Sequence, residues 1–381
     1  MIYANPRDFG AVGDGITDDT AAFVAALAAS DTVWMDAGTF AISGVSLASG
    51  QKFLGSGDKT KLVPSASFVA GANLVYIGAG NEGVEVGGFS ADIPQTLTGS
   101  CAVYASFAAR VHIHDILSYD SGFCAVRLDR CDKSLIERVR VLAAHTYGIQ
   151  CINGNNNRIT DCQTQGVGVS HHIQLQGENR SKIDNCFADS VTGSGFGMNL
   201  YLCQHCAIKD CSTVDCKYEG INITDSSFCL VADNNCDWTG NQSTDFGISL
   251  NGHAGYCNLN IIRGNTINRS GKSGIAIYGT FTNSLGNLVE GNMIYAAGQL
   301  GLPNDGAILI ACQNGSTSST TVIGNLCYGD GTKTRYGVLE STGYGPNVSN
   351  NRLGPNGVFN MTVSPNAKAA PSTALFVPPG W

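Results

Sequence analysis

A chain of 381 residues is long enough for two or three ordinary domains, but a solenoid absorbs that length in one body. With 48 Gly, 10 Pro, 43% hydrophobic and only 14% charged residues, it is too apolar for a disordered glycine-rich chain and has the residue usage of many short strands joined by frequent turns. The net charge of -8 lacks the concentrated Lys and Arg that a phosphate backbone requires, so nucleic acid is excluded as the expected partner.

The first residues, Met1 to Asp8, have neither the basic start nor the apolar core of a secretory leader, and no apolar run is long enough to span a membrane. No membrane partner is expected. The 15 Cys, an odd number, are read as free buried thiols of a protein made in the cytoplasm. The first element is a helix: Asp18-Asp19-Thr20 supplies N-cap residues ahead of an Ala-, Phe- and Leu-rich run to Ala29. It covers the open end of a stack of strands, forming a cap over about residues 1–30. Thr32 to Ser43 then reads as a first strand and turn, and Phe53-Leu-Gly-Ser-Gly57 as the next.

From there an internal period takes over. A small-residue turn, with Gly before the strand at every rung but that of His172, followed by a short apolar strand recurs at Gly148-Ile149, His172-Ile173, Gly197-Met198, Gly220-Ile221, Gly247-Ile248, Gly274-Ile275, Gly306-Ala307 and Gly337-Val338, at offsets of about 23 to 32 residues. Cys162, Cys186, Cys211 and Cys236 run in phase and predict a thiol ladder. Asn235, Asn265, Asn292, Asn325 and Asn351 predict an asparagine ladder at a turn, because Asn tolerates left-handed backbone and its amide can pair with the next rung. Each strand is short and alternates with period two: in Gly220 to Asp225, Ile221 and Ile223 share one face, Asn222 and Thr224 the other. The fold class expected is therefore all-β, a single-stranded right-handed parallel β-helix over residues 1–364 with an N-terminal capping α-helix, followed by a tail over 365–381 that loses the period.

The opening segment strengthens this. Asp8-Phe-Gly-Ala-Val-Gly-Asp-Gly-Ile-Thr-Asp-Asp-Thr-Ala-Ala-Phe23, followed by Val33-Trp-Met-Asp-Ala-Gly-Thr-Phe40, resembles the start of the pectate-lyase-like superfamily, which includes polygalacturonase-like glycosidases, some polysaccharide lyases and the tailspike depolymerases of bacteriophages. The resemblance reaches about Asn360 and implies a fold rather than a reaction. It also implies a polysaccharide or oligosaccharide substrate and, by likeness to tailspikes, a homotrimer that serves as a virion component or acts outside the cell after release. The catalytic signatures of the polygalacturonase-like hydrolases are missing apart from a faint echo in Asn251-Gly-His-Ala-Gly255, and no calcium-binding Asp cluster is evident, so no catalytic residue carries over.

Chemistry is sought on the outward face of the repeating strand. It presents Arg127, Gln150, Gln174, Asn199 with Tyr201, Asn222, Ser249 with Asn251, and Tyr278, a strip of amides, hydroxyls and rings of the kind a sugar chain needs; plain solvated sheet surface is the alternative. At the turns entering these strands lie His171, His172, Lys217, Tyr218, Glu219, Asp245 and Asp305. Glu219 and Asp245 occupy equivalent sites on adjacent rungs, which would bring their carboxyls to roughly 5 Å, the separation of a retaining glycosidase; pairing with Asp305 would give the wider inverting spacing. Like-charge proximity would raise one pKa and create the acid. Alternatively a uronate lyase or epimerase would draw on Arg127, His171, Lys217 and Tyr218 for charge neutralisation and proton abstraction. A non-catalytic glycan-binding spike is the third reading. Neither a cofactor nor a metal is called for: Cys203-Gln-His-Cys206 with Cys211 and Cys216 has a zinc-like look, but Cys211 belongs to an inward-pointing ladder.

Overall fold

The computed structural model describes residues 3–191, 195–240, 245–279, 284–301, 306–312, 319–329, 336–340, 347–354 and 368–369. The chain is an all-β, right-handed parallel β-helix that falls into two compact units, Met1–Lys182 and Ile183–Trp381.

In the first unit, Asn73–Ile77, Cys101–Ser106, Cys124–Asp129, Tyr147–Ile152 and Ile173–Gln176 pair in parallel, each with the next. The register places Val75, Val103, Val126, Ile149 and Ile173 in one column, all fully buried, and each aliphatic side chain so buried contributes about 1.5–3 kcal/mol. A second sheet of this unit carries Glu85–Asp92, His112–Asp120 and Leu135–Glu137, again in parallel register. The expected helix spans Thr20–Ala29 and buries Phe23 against Phe40 and Phe53, with ring centroids 5.3 and 5.8 Å apart. Its start differs from the simple cap. Asp19, at the N-cap position, makes no side-chain cap; its carboxylate accepts the backbone N–H groups of Val12 and Gly13, while Asp18 accepts from the Thr20 N–H and from the hydroxyls of Thr20, Ser65 and Ser67.

In the second unit, Met198–Tyr201, Ile221–Thr224, Ile248–Gly252, Ile275–Gly279, Gly306–Cys312 and Tyr336–Glu340 form the corresponding ladder. The recurrent glycines have a steric cause. A Cβ on Gly220 would sit 2.5 Å from Thr213 Oγ1, and one on Gly247 would sit 2.5 Å from Ile267 Cγ2 and 2.6 Å from the Gly274 carbonyl oxygen. One expected member of that column shifts: Ile308 pairs with Ile275, so Ala307 rather than Gly306 takes the corner.

Two ladders also re-register. Cys236 pairs with Thr213, not with Cys211, so the thiol column does not continue to it. The position above Cys211 is Asn234, whose Oδ1 accepts the Cys211 N–H at 2.9 Å. Asn234, rather than Asn235, then leads the asparagine column through Asn265, Asn292, Asn325 and Asn351. The described cysteines are free and buried. Of the segment 365–381 only Lys368–Ala369 is described, and it pairs in parallel with Asn347–Ser349.

Candidate functional site

The outward strip takes different forms in the two units. In the first, the Arg127 guanidinium lies over the rings of Tyr104 and Phe123, at 5.5 and 5.2 Å, and its Nε is buried without a hydrogen-bond partner. Gln150 and Gln174 stand on the face away from the aliphatic column, as alternation requires, but they are buried, and Gln150 Nε2 donates to Gln174 Oε1 at 2.6 Å. His171 is half-buried with its ring 5.9 Å from Tyr147, and burial together with the neighbouring His172 lowers its pKa to about 4. His172 departs from the expectation of a sugar-facing side chain. It is wholly buried, its Nδ1 meets Thr164 Oγ1 at 2.9 Å, and burial lowers its pKa to about 4, so it is a neutral packing residue in the glycine column.

In the second unit the strip becomes a relay of hydrogen bonds ending on a carboxyl. Asn199 Nδ2 donates to Asn222 Oδ1 at 2.7 Å, Asn222 Nδ2 donates to Ser249 Oγ at 2.8 Å, and Ser249 Oγ donates to Glu219 Oε1 at 3.1 Å. Thr224 Oγ1 also donates to Asn222 Oδ1. Asn199, Asn222, Ser249 and Glu219 are all buried, so this part of the strip is not the open hydroxyl-binding surface that alternation alone implies. Beyond Ser249 the same register position changes character, to Ala276, Leu309 and Leu339, which form an apolar cluster with Phe246, outside the main aliphatic column.

Glu219, 3% exposed, has its pKa raised from 4.5 to about 8, first by desolvation and then by the negative charge of Asp245. The half-buried Asp245 directly precedes Phe246, whose ring packs 5.4 Å from that of Tyr278. Burial also pushes the Tyr278 hydroxyl up, reinforced by the charges of Glu219 and Asp245, and Ser249 bonds to it. Ser249 thus bonds to Glu219, Asn222 and Tyr278, Asn199 joins through Asn222, and Asp245 acts on Glu219 and Tyr278 by its charge. Lys217, its ammonium 5.6 Å from the Tyr218 ring centroid, and Tyr218 are half-buried on the same turn as Glu219, while Tyr201 and Asn251 occupy the outer register position shared with Thr224 and Tyr278. Asp305 lies outside the described residues. The echo at Asn251 to Gly255 has a structural use, since the Asp225 carboxylate accepts the N–H groups of His253 and Ala254.

A protonated buried acid beside a half-buried carboxylate is the pairing that acid/base chemistry on a polymer bond uses. The sequence model of the rhamnogalacturonase A/epimerase, pectate lyase-like family matches residues 3–248. The chain belongs to this family. No curated protein matches this pectate lyase-like chain. Among solved structures it is similar to the catalytic unit of the GH87 alpha-1,3-glucanase of Streptomyces thermodiastaticus, with 14% identity and a TM-score of 0.69 over 97% of this chain and 68% of that one. The Dettilon tailspike protein is similar over 95% of this chain and 68% of that one, at 16% identity and a TM-score of 0.64. Full-length tailspike protein 2 from an Escherichia coli O157:H7 bacteriophage is similar at 15% identity and a TM-score of 0.60, over 76% of this chain. The chain spans 42% of the length of that tailspike. At these identities the likeness is one of fold. Among the described residues no helix is long and apolar enough to cross a membrane.

Proposed function

We propose that this pectate lyase-like protein is an enzyme that cleaves glycosidic bonds of a polysaccharide, with Glu219 as the general acid and Asp245 as its carboxylate partner. The observation that carries the reading is the pKa of Glu219: at about 8 it remains protonated at neutral pH, while Asp245 supplies a negative charge beside it. Ser249 and Asn222 bond to the acid and hold it in place, and Lys217 and Tyr218 stand on the same turn to meet sugar hydroxyls. Asp305 is a further candidate for the second carboxylate. Likeness in fold to an alpha-1,3-glucanase and to phage tailspikes supports a glycan polymer as substrate and, as part of the same proposal, a homotrimer carried on or released with a virion.

A screen of polysaccharides with mass analysis of the products tests this. Glu219→Gln and Asp245→Asn are each expected to lower turnover on the responsive polymer by about 10²–10⁴-fold while leaving the fold intact. Wild-type cleavage by both variants would overturn the assignment.

A second reading, lyase or epimerase action on a uronate polymer, is favoured by one observation: His171, beside the strip, is kept neutral at physiological pH by burial, so a ring nitrogen is uncharged there. Hydrolysis leaves no double bond, so a product absorbing in the ultraviolet would select the lyase, and cleavage without such absorbance the hydrolase.

A further inference from the structure

A second constellation of reactive side chains lies within the first unit, on the sheet that carries Glu85–Asp92 and His112–Asp120. These strands pair in parallel with Glu85 opposite His112 and Gly87 opposite His114. His112 and His114 are two residues apart on one strand and therefore project from the same face, their ring centroids 4.5 Å apart. One ligand atom from each of Glu85, His112 and His114 lies within 4.8 Å of the others. Gly87 makes room for this: a Cβ there would sit 2.8 Å from both Nδ1 and Cε1 of His114.

The surrounding bonds orient all three groups. His114 turns Nε2 toward Glu85 Oε1, at 3.2 Å, while its Nδ1 lies 2.8 Å from Asp115 Oδ2. Asp115 is itself clasped by Arg138, whose Nε and Nη2 donate at 2.7 and 2.9 Å. Lys52 takes the other oxygen of Glu85, Oε2, at 2.6 Å, and Glu137 Oε1 holds His112 Nε2 at 3.0 Å. A carboxylate that grips the far nitrogen of a histidine fixes its tautomer and raises its basicity, which is how the outer partners of metal-bound imidazoles act. The side chains of Glu85 and His114 are 26% and 15% exposed, so the donor set is sheltered yet reachable from solvent.

We propose that Glu85, His112 and His114 form a binding site for one divalent first-row transition ion, of which zinc is the working probe. Two imidazoles and one carboxylate are the donor set such ions favour, and calcium or magnesium would call for oxygen ligands instead. Because Glu85 and the histidines come from adjacent turns, the ion ties one turn of the helix to the next. Asp115 is a positioning residue, acting through His114.

The test uses the full chain, freed of metal with a chelator and titrated with zinc by calorimetry. One equivalent is expected to bind with a dissociation constant below about 10 µM. His112→Gln and His114→Gln should each weaken it by about 100-fold or more, and Asp115→Asn by about 10–100-fold. Zinc should also raise the unfolding temperature of the wild type but not of the histidine variants. Absence of stoichiometric binding, or binding that survives loss of both histidines, overturns the proposal. Should the variants not fold, carbethoxylation of the wild type mapped by peptide mass decides: zinc protection of His112 and His114 supports the site, and unchanged labelling overturns it.

Discussion

Glu178 in the first unit and Glu219 in the second are both buried acids, at 1% and 3% exposure, and burial raises the pKa of both. Their surroundings differ. Three donors converge on Glu178: the Gly154 N–H at 2.8 Å, Asn157 Nδ2 at 3.0 Å and Ser181 Oγ at 2.5 Å. Glu219 accepts from the Ser249 hydroxyl, the Asn222 amide and its own backbone N–H, but the charge of Asp245 acts on it more strongly than any of these, whereas at Glu178 the charge of Asp132 is weaker than each of the three donors. Burial alone therefore does not mark a reactive carboxyl. A carboxyl whose donors outweigh the nearby charge clasps turns together, whereas one on which a second acid outweighs each donor is a proton store.

The sharpest way to break this comparison is to truncate the clasp. Glu178→Ala leaves three buried donors unpaired and is expected to cost about 3–5 kcal/mol of stability in denaturant unfolding, with activity per folded molecule unchanged. The opposite is expected at Glu219. Its folded pKa of about 8 exceeds the ordinary 4.5, so the native protein retains a proton that the unfolded chain releases between those values. Its contribution to stability is thus fully present below about pH 4.5 and is lost as pH rises toward 8, on the order of 5 kcal/mol in all. Glu219→Gln removes this slope, so denaturant midpoints at pH 5 and pH 8 should converge in the variant while diverging in the wild type. The smallest effect belongs to Ser249→Ala. Losing the hydroxyl that donates to Glu219 raises the acid's pKa further, by less than about one unit, and moves the alkaline fall in kcat/KM to higher pH by the same amount.

Much of the fold was legible because it repeats. Gly220 and Gly247 fall at turns where no Cβ fits, and Ile221 and Ile223 alternate with Asn222 and Thr224, so period and face could both be read. Register within the turns was harder: Asn234 and Asn235 are neighbours, turn lengths vary, and it is the bonds from the Cys211 N–H to Asn234 Oδ1 and from Asn234 to Asn265 Oδ1 that show which of them belongs to the column. Glu219 and Asp245 were visible as acids at the turns entering adjacent strands, but the register sets Glu219 beside Phe246 and Asp245 one residue earlier, so the two are not at equivalent sites. The burial of Asn199 and Asn222 was not, since alternation assigns a side chain to a face and says nothing of what covers that face. His112 and His114 escaped notice because they lie ahead of Gly148, where the traced repeat begins; their spacing of two along one strand was the available signal.

The asparagine column gives the second unit a direction. From Asn234 to Asn325, each side chain sends its Nδ2 to the Oδ1 of the next member, and that oxygen also receives the backbone N–H of the member before it. Every amide dipole in the row therefore points the same way, head to tail. Inverting a single amide would set oxygen against oxygen on one side and NH₂ against N–H on the other, so the row keeps or loses its orientation as a set. A newly added turn carrying Asn at this position would inherit that orientation from its neighbour, which makes the row a template for lengthening the protein one coil at a time.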